Sequence, residues 1–92
     1  MYFDNSYWVE ILCAKIHNVI MQKKYLKCIG KNIKNIRRSK KISQEKLAEL
    51  IGKSRNYVGM VERAELNIPA GMLINIALAL KTHPKEFFDM DL

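Results

Sequence analysis

A guanidinium and a carboxamide stand side by side at Arg55 and Asn56. The fork of an arginine matches O6 and N7 of guanine, and asparagine pairs in the same way with N6 and N7 of adenine. Gln44 is placed to bind a phosphate or to brace these side chains, and Lys53 and Tyr57 can add contacts to the DNA backbone. These residue types at this spacing predict recognition of base edges in DNA, against the competing explanation of ordinary surface polarity.

Two short helices joined by a tight turn are predicted to position these side chains. Ser43 is a predicted N-cap, because its hydroxyl can accept a hydrogen bond from a first-turn amide. This helix runs to about Ile51, and Gly52 suits the left-handed conformation just beyond a helix end. Ser54 is the predicted N-cap of the second helix, and the amides at both helix starts favour phosphate oxygens. Residues 43–63 therefore predict a helix, a turn and a second helix.

The second helix has two distinct faces when each residue advances by about 100°. The predicted inward face holds Tyr57, Val58 and Val61. The predicted DNA-facing side holds Arg55, Asn56, Gly59, Met60 and Arg63. A glycine inside a helix costs about 1 kcal/mol relative to alanine, so Gly59 indicates the close approach of a partner.

Positive charge is confined to the middle of the chain, whose overall net charge is +7. Residues 23–63 carry thirteen basic and three acidic side chains, whereas residues 1–22 and 64–92 are both slightly acidic. A basic block of this kind is typical of a surface that binds a polyanion and releases its counterions. A solvated lysine-rich face without a partner is the alternative.

An amphipathic helix is predicted from Ser6 to about Met21. Its apolar arc consists of Trp8, Val9, Leu12, Cys13, Ile16, Val19 and Ile20. Such a helix either covers part of its own domain's core or forms a dimerisation or partner-binding surface, and the small size of the domain favours the second. We therefore divide the chain into an N-terminal helical segment, 1–26, and a DNA-binding domain, 27–92.

Further helices complete an all-α domain with one hydrophobic core, as expected for 92 residues. One is predicted from about Lys27 to Lys40, with Ile29, Ile33 and Ile36 inward. Another begins near Pro69, whose fixed φ suits a first turn, and its stripe holds Met72, Leu73, Ile76, Ala77 and Leu80. A last turn at Glu86–Phe88 closes the core or a subunit contact.

The composition disfavours several other classes of protein. Cys13 and His17 lie one helical turn apart, but no third or fourth ligand is near them, so no metal and no other cofactor is expected. No nucleophile has a plausible base partner, which disfavours an enzyme with a small-molecule substrate. Neither a signal peptide nor a membrane-spanning run of apolar residues is present, so we expect a cytoplasmic protein without a membrane partner.

The run "ISQEKLAELIGKSRNYVGMVERAELNI" resembles the lambda-repressor-like (Xre-type) helix-turn-helix domain. Its Ser-Gln opening, Leu-Ala pair, turn glycine and closing Val-Glu-Arg carry the resemblance. More narrowly, "RNYVGMVERAELNI" followed by "LINIALALKTHPKEFF" is similar to controller proteins of restriction-modification systems. The resemblance covers about Ile29 to Phe88 and implies a five-helix domain, to which the N-terminal helix is extra.

The resemblance also implies roles for individual residues. It implies base or phosphate contacts by Gln44, Arg55, Asn56, Tyr57 and Asn67. It implies a buried structural pair between Arg37 and Glu62, which argues against a catalytic role for Glu62. The chain departs from the family at Lys53, usually apolar, at Leu66, often basic, and in the segment before Lys27, which most members lack.

Dimerisation is predicted because one short helix contacts few base pairs, whereas two subunits combine their contacts on a palindrome. By resemblance, the interface involves the C-terminal helices and Leu73, Ile76, Leu80, Phe87 and Phe88. The predicted function is a homodimeric regulator of restriction-modification genes bound to a double-stranded operator. A phage-type repressor, an antitoxin and a protein-binding adaptor with the same fold are the alternatives.

Overall fold

The first helix of the protein, α1, runs without interruption from Asn5 to Ser39 in a computed structural model. This structure describes residues 5–90, and it describes the side chains of residue 16 and of residues 18–90. The two separate helices predicted for Ser6 to about Met21 and for about Lys27 to Lys40 are instead one continuous helix. Residues 21–28 contain no Gly, Pro or capping signal, and Gln, Lys and Leu in this stretch all favour a helix.

Three shorter helices and a 3-10 helix follow α1 in the described residues. They are α2 (Gln44–Ile51), α3 (Arg55–Glu62), α4 (Ala70–Leu80) and the 3-10 helix (Pro84–Phe88). The all-helical class is as predicted, but four α-helices are present where the sequence predicted five and an extra one. The merger of the first two helices and the 3-10 geometry of the last account for the difference.

The core lies between the C-terminal half of α1 and the other helices. Its largest fully buried side chains are Ile33 from α1, Leu47 from α2, Val58 and Val61 from α3, Ile76 and Leu80 from α4, and Phe87 from the 3-10 helix. Gly30 lets α1 and α3 approach closely, because a Cβ there would lie 2.6 Å from the carbonyl oxygen of Val61. The core therefore fixes α3 against α1 at the level of backbone contact.

The C-terminal segment is attached to α1 by a side-chain amide. Asn32 Nδ2 donates to the carbonyl oxygens of Phe87 and Asp89, at 3.0 and 2.9 Å. His83 precedes the 3-10 helix, and its Nδ1 accepts a hydrogen bond from the backbone amide of Lys85 at 3.1 Å. These bonds close the core on the side of α1 that bears Asn32.

The N-terminal half of α1 extends away from this core. The molecule measures 60 × 27 × 19 Å, and its long dimension reflects a helix of about 52 Å. Ile16, Val19 and Ile20 are 59 to 64% exposed, so these three side chains cover no core. The side chains of Trp8, Val9, Leu12 and Cys13 lie outside those described. One helix, α1, crosses the boundary between residues 26 and 27. The division of the chain into the segments 1–26 and 27–92 stays a prediction.

Candidate DNA-binding surface

Two serine caps and one glycine define the geometry of the α2–α3 unit. Ser43 Oγ accepts from the amide of Lys46 at 3.0 Å, and Ser54 Oγ accepts from the amide of Tyr57 at 3.1 Å. Gly52 follows α2 in the left-handed conformation, with φ 69° and ψ 32°, which glycine adopts without a steric penalty. Only Gly52, Lys53 and Ser54 separate the two helices, so α3 begins immediately after a sharp change of direction.

The start of α3 presents its polar side chains to solvent. Ser54, Arg55 and Asn56 are exposed, whereas Tyr57 and Met60 are half-buried. The Arg55 guanidinium lies 3.4 Å from Glu45 Oε1, in a pair whose side chains are both more than 60% exposed. Asn56 Nδ2 contacts Met60 Sδ at 3.6 Å. Neither contact holds Arg55 or Asn56 strongly, and both remain free to bind an incoming partner.

Lys53 lies on the same side, in the turn before α3. Its ammonium group stands 5.2 Å from the centroid of the Tyr57 ring, a cation–π distance. Tyr57 also packs against the core, so its ring is a fixed partner for the ammonium group of Lys53. Lys53 therefore has a preferred position beside the exposed start of α3.

Gly59 is buried rather than exposed as the polar face of α3 predicts, and its contact with DNA stays a prediction. The Arg63 guanidinium covers it, with Nη1 2.8 Å from the place that a Cβ would take. Arg63 is held there by Glu65, through Nε to Oε1 at 2.8 Å and Nη2 to Oε2 at 3.2 Å. The periodicity of α3 cannot reveal this cover, because the carboxylate that holds it lies beyond the helix.

The Arg63–Glu65 pair also shifts the titration of both groups. Its side-chain hydrogen bonds and charge attraction raise the pKa of Arg63 and lower the pKa of Glu65. Both side chains are solvent-exposed, so the pair is open to exchange with another anion. Arg63 is thus presented as a cation whose counter-charge a phosphate can replace.

A buried ion pair joins α1 to α3. Arg37 Nε donates to Glu62 Oε2 at 2.7 Å, and Nη2 donates to Oε1 at 3.1 Å. The side chains are 8% and 2% exposed. Arg37 Nη1 also donates to the carbonyl oxygen of Ile42 at 2.8 Å, which attaches the α1–α2 connection to the same group. Both carboxylate oxygens of Glu62 therefore accept from Arg37, as a structural role requires.

Glu62 also fixes the side chain at the start of α2. Gln44 Nε2 donates to Glu62 Oε1 at 2.9 Å, so one carboxylate oxygen receives bonds from both Gln44 and Arg37. Sequence reasoning paired Glu62 with Arg37 only and missed this third member. Gln44 is half-buried, and it lines a shallow concavity with Lys34, Arg38 and Arg55.

Asn67 lies in the connection between α3 and α4, away from the start of α3. It is exposed, and its Oδ1 accepts a hydrogen bond from Gln22 Nε2 at 3.4 Å. Leu66 in the same connection is half-buried against the core. The structure thus gathers Gln44, Lys53, Arg55 and Asn56 around the start of α3, and it places Asn67 next to α1.

Three of the residues predicted at a dimer interface belong to the core of their own chain. Ile76, Leu80 and Phe87 are at most 1% exposed, so they have no surface to offer a partner. Leu73 is half-buried against the same core, and Phe88 is 52% exposed. A helix in a small domain turns its strongest apolar stripe toward its own core, so these three residues, which the family resemblance implied at the interface, pack inside their own subunit. The exposed apolar side chains nearby are Leu50, Ile74 and Leu78.

Neither a membrane span nor a metal cluster is found in the part of the chain that the structure describes. No helix there is long and apolar enough to cross a bilayer. No three of the described His, Cys, Asp and Glu side chains converge as metal ligands do. The predicted exclusion of a site at Cys13 and His17 lies outside the described side chains.

Known proteins share the arrangement of these helices. The Helix-turn-helix family model matches residues 33–87. The control protein C.SmaI of Serratia marcescens is 43% identical over 54 residues, which are 59% of this chain and 64% of that relative's length. The crystal structure of the restriction-modification controller protein C.AhdI from Aeromonas hydrophila aligns with a TM-score of 0.66 and 40% identity, over 68% of this chain and 96% of that one.

A more distant structure shows that the fold extends beyond close relatives. The clp gene regulator ClgR from C. glutamicum aligns with a TM-score of 0.67 at 21% identity, over 68% of this chain. The matched family segment contains α2, the turn, α3 and α4, together with the Arg37–Glu62 pair that holds them on α1. Because that segment is more than half of the chain, the protein belongs to the Helix-turn-helix family of DNA-binding regulators.

Proposed function

We propose that this protein is a homodimeric transcriptional regulator of restriction-modification genes, and that each subunit inserts the start of α3 into the major groove of a palindromic operator. The exposed Arg55 and Asn56 on a serine-capped helix carry the proposal. The similarity to two proteins described as restriction-modification controllers or control proteins supports the choice of regulated genes. The protein acts in the cytoplasm, where the operator is.

Each polar group at the start of α3 has a chemical counterpart in the groove. Arg55 donates two hydrogen bonds to guanine, and Asn56 pairs with adenine. Lys53 binds a phosphate beside them. Gln44, held by Glu62, presents its carbonyl oxygen and its second amide hydrogen toward the DNA without further loss of side-chain freedom. Arg55 exchanges an exposed, weak contact with Glu45 for a desolvated one with a base.

The dimer forms through the exposed apolar side chains of α2 and α4. Leu50 and Ile74 are each about half exposed, and Leu78 is 71% exposed. Leu50 and Leu78 line one depression with Ile51, Asn75 and Ala79, so exposed apolar side chains of α2 and α4 lie side by side there. A two-fold interface here leaves α3 free on another surface, and two α3 helices can then reach half-sites about one DNA turn apart.

Selection of bound duplexes from a random pool, followed by an electrophoretic shift titration, tests the proposal. We expect a palindrome with two half-sites, and a loss of about 1 to 3 kcal/mol in specific binding for Arg55→Ala. Lys85→Ala is the control, since Lys85 lies in the 3-10 helix. This variant is expected to keep the sequence preference of the wild type. A single unpaired site contradicts the dimer. Binding without sequence preference, or an Arg55→Ala variant with full activity, instead favours a protein-binding adaptor.

A further inference from the structure

The outer surface of α1 carries a long row of cations that the proposed contacts at α3 do not use. Its exposed or half-buried members are Lys23, Lys27, Lys31, Lys34 and Arg38. No acidic residue occurs between Glu10 and Glu45, so no carboxylate on this stretch of helix can pair with them. Among the described side chains, none of these five cations takes part in an ion pair. We call these five residues the α1 stripe.

The α1 stripe destabilises the helix that carries it. Like charges four residues apart repel by about 0.2 to 0.5 kcal/mol per pair, and the spacings of Lys23, Lys27 and Lys31 and of Lys34 and Arg38 create three such pairs. Solvated surface helices ordinarily alternate lysine with glutamate at this spacing. A helix that keeps only cations along one side is expected when a polyanion supplies the missing charge.

Four of the five residues of the α1 stripe lie on the side of α1 that faces α3. Gly30 marks that side, because it touches the backbone of Val61 and Glu62. At 100° per residue, Lys23, Lys27, Lys34 and Arg38 lie within about 80° of Gly30 around the helix. The 3-10 helix is bound on the opposite side, by Asn32, about 160° from Gly30. The α1 stripe therefore borders α3 rather than the C-terminal segment.

The α1 stripe meets the start of α3 at its C-terminal end and the α3–α4 connection at its N-terminal end. Lys34 and Arg38 share a concavity with Gln44 and Arg55 at the start of α3. Lys23 shares another concavity with residues 64–67, the connection that holds Asn67. The distance along the helix from Lys23 to Arg38 is about 22 Å, the length of roughly six base pairs. A duplex that contacts α3 thus has an adjacent positive surface of comparable length.

We propose that the α1 stripe binds phosphates of the duplex beside the bases contacted by α3 and so lengthens the footprint of each subunit. This inference rests on the proposed function, since it assumes that α3 docks on DNA. Lys34 and Arg38 bind the strand nearest the half-site, and Lys23 and Lys27 bind beyond it. The contacts are to backbone only, so they add affinity and salt dependence without adding sequence preference.

The test compares two double variants of the full chain that remove the same charge. Lys23→Gln with Lys27→Gln alters the α1 stripe, and Lys81→Gln with Lys85→Gln, at two exposed lysines outside the stripe, is the control. Glutamine keeps helix propensity close to that of lysine, so the stripe variant retains its helix. Kd for the selected operator is measured from 50 to 200 mM salt, and hydroxyl-radical footprints are recorded for each protein.

Each lost phosphate contact lowers the slope of log Kd against log salt by about 0.9. The stripe variant is therefore expected to lose nearly two units of slope, to lose protection beside the half-site and to keep the operator preference. Over the fourfold salt range, its Kd then rises about tenfold less than that of the wild type. An unchanged slope, or an equal change in the control variant, overturns the inference. Failure of the proposed function looks different, because the wild type itself then shows no preference for any duplex.

Discussion

Replacement of Arg37 by Met, or of Glu62 by Leu, removes one half of a buried ion pair and leaves the other half without its counter-charge. The Glu62 side chain is 2% exposed and that of Arg37 is 8% exposed, so water cannot solvate the remaining group. Loss of one partner from such a pair costs about 3 to 5 kcal/mol. For a chain of this size, each kcal/mol lowers Tm by at least about 4 °C, so Tm falls by 12 °C or more.

The double variant Arg37→Met with Glu62→Leu separates charge burial from packing. Apolar side chains of similar volume need no desolvated partner, so most of the lost stability returns. The measurement is urea unfolding followed by circular dichroism, evaluated as a double-mutant cycle. The coupling free energy is expected to be several kcal/mol, and the m-value is expected to stay constant.

The exposed Lys46–Glu49 pair serves as the matched control, because its charged atoms are 3.8 Å apart in solvent. Its own cycle is expected to give a coupling below about 0.5 kcal/mol. If single changes at Arg37 and Glu62 each cost less than about 1 kcal/mol and simply add, the buried pair does not fasten α3 to α1. The structural interpretation of both residues would then be untenable.

Three further predictions concern other sites. Arg63→Gln removes the hydrogen bonds that lower the pKa of Glu65, so carboxyl NMR is expected to show that the pKa of Glu65 returns to its ordinary value. In the wild type, the ion pair is lost as the pH falls through the lowered pKa of Glu65. Leu78→Glu is expected to yield a folded monomer in sedimentation, since Leu78 is 71% exposed, and an unchanged dimer would exclude this surface. Gly30→Ala forces a Cβ against backbone and is expected to cost about 1 to 3 kcal/mol in urea unfolding, whereas Gly71→Ala, with open space around it, is expected to be neutral or stabilising.

Local signals were sufficient to predict the α2–α3 unit. Ser43, Gly52 and Ser54 act within three residues of themselves, through one hydrogen bond or one backbone conformation, and the structure shows each in its predicted role. Sequence neighbours alone settle such features. The exposure of Arg55 and Asn56 follows directly, because α3 must turn Val58 and Val61 inward.

Features that depend on tertiary partners were not predictable in the same way. Gly59 is covered because Arg63 folds back onto it and is held by Glu65 after the helix. The apolar stripe of α4 indicates burial but does not say whether the same chain or a partner buries it. In the structure, Ile76 and Leu80 are buried in the core of their own chain. The continuity of α1 could have been predicted from the sequence, because no signal for a helix end precedes Gly30. The side of the helix that is apolar up to Ile20 is occupied by lysines from Lys23 onward.

The shared oxygen of Glu62 connects stability to recognition in a way that the double variant can separate. Oε1 receives Arg37 Nη2 and Gln44 Nε2 together, so the group that fastens α3 to α1 also orients a side chain at the edge of the groove. With Leu at position 62, Gln44 loses its partner even after stability is restored. Operator affinity of the double variant is therefore expected to fall by about the value of one hydrogen bond to a charged group, 1.5 to 3 kcal/mol at most. Wild-type affinity in a stably folded double variant would show that Gln44 needs no support from Glu62.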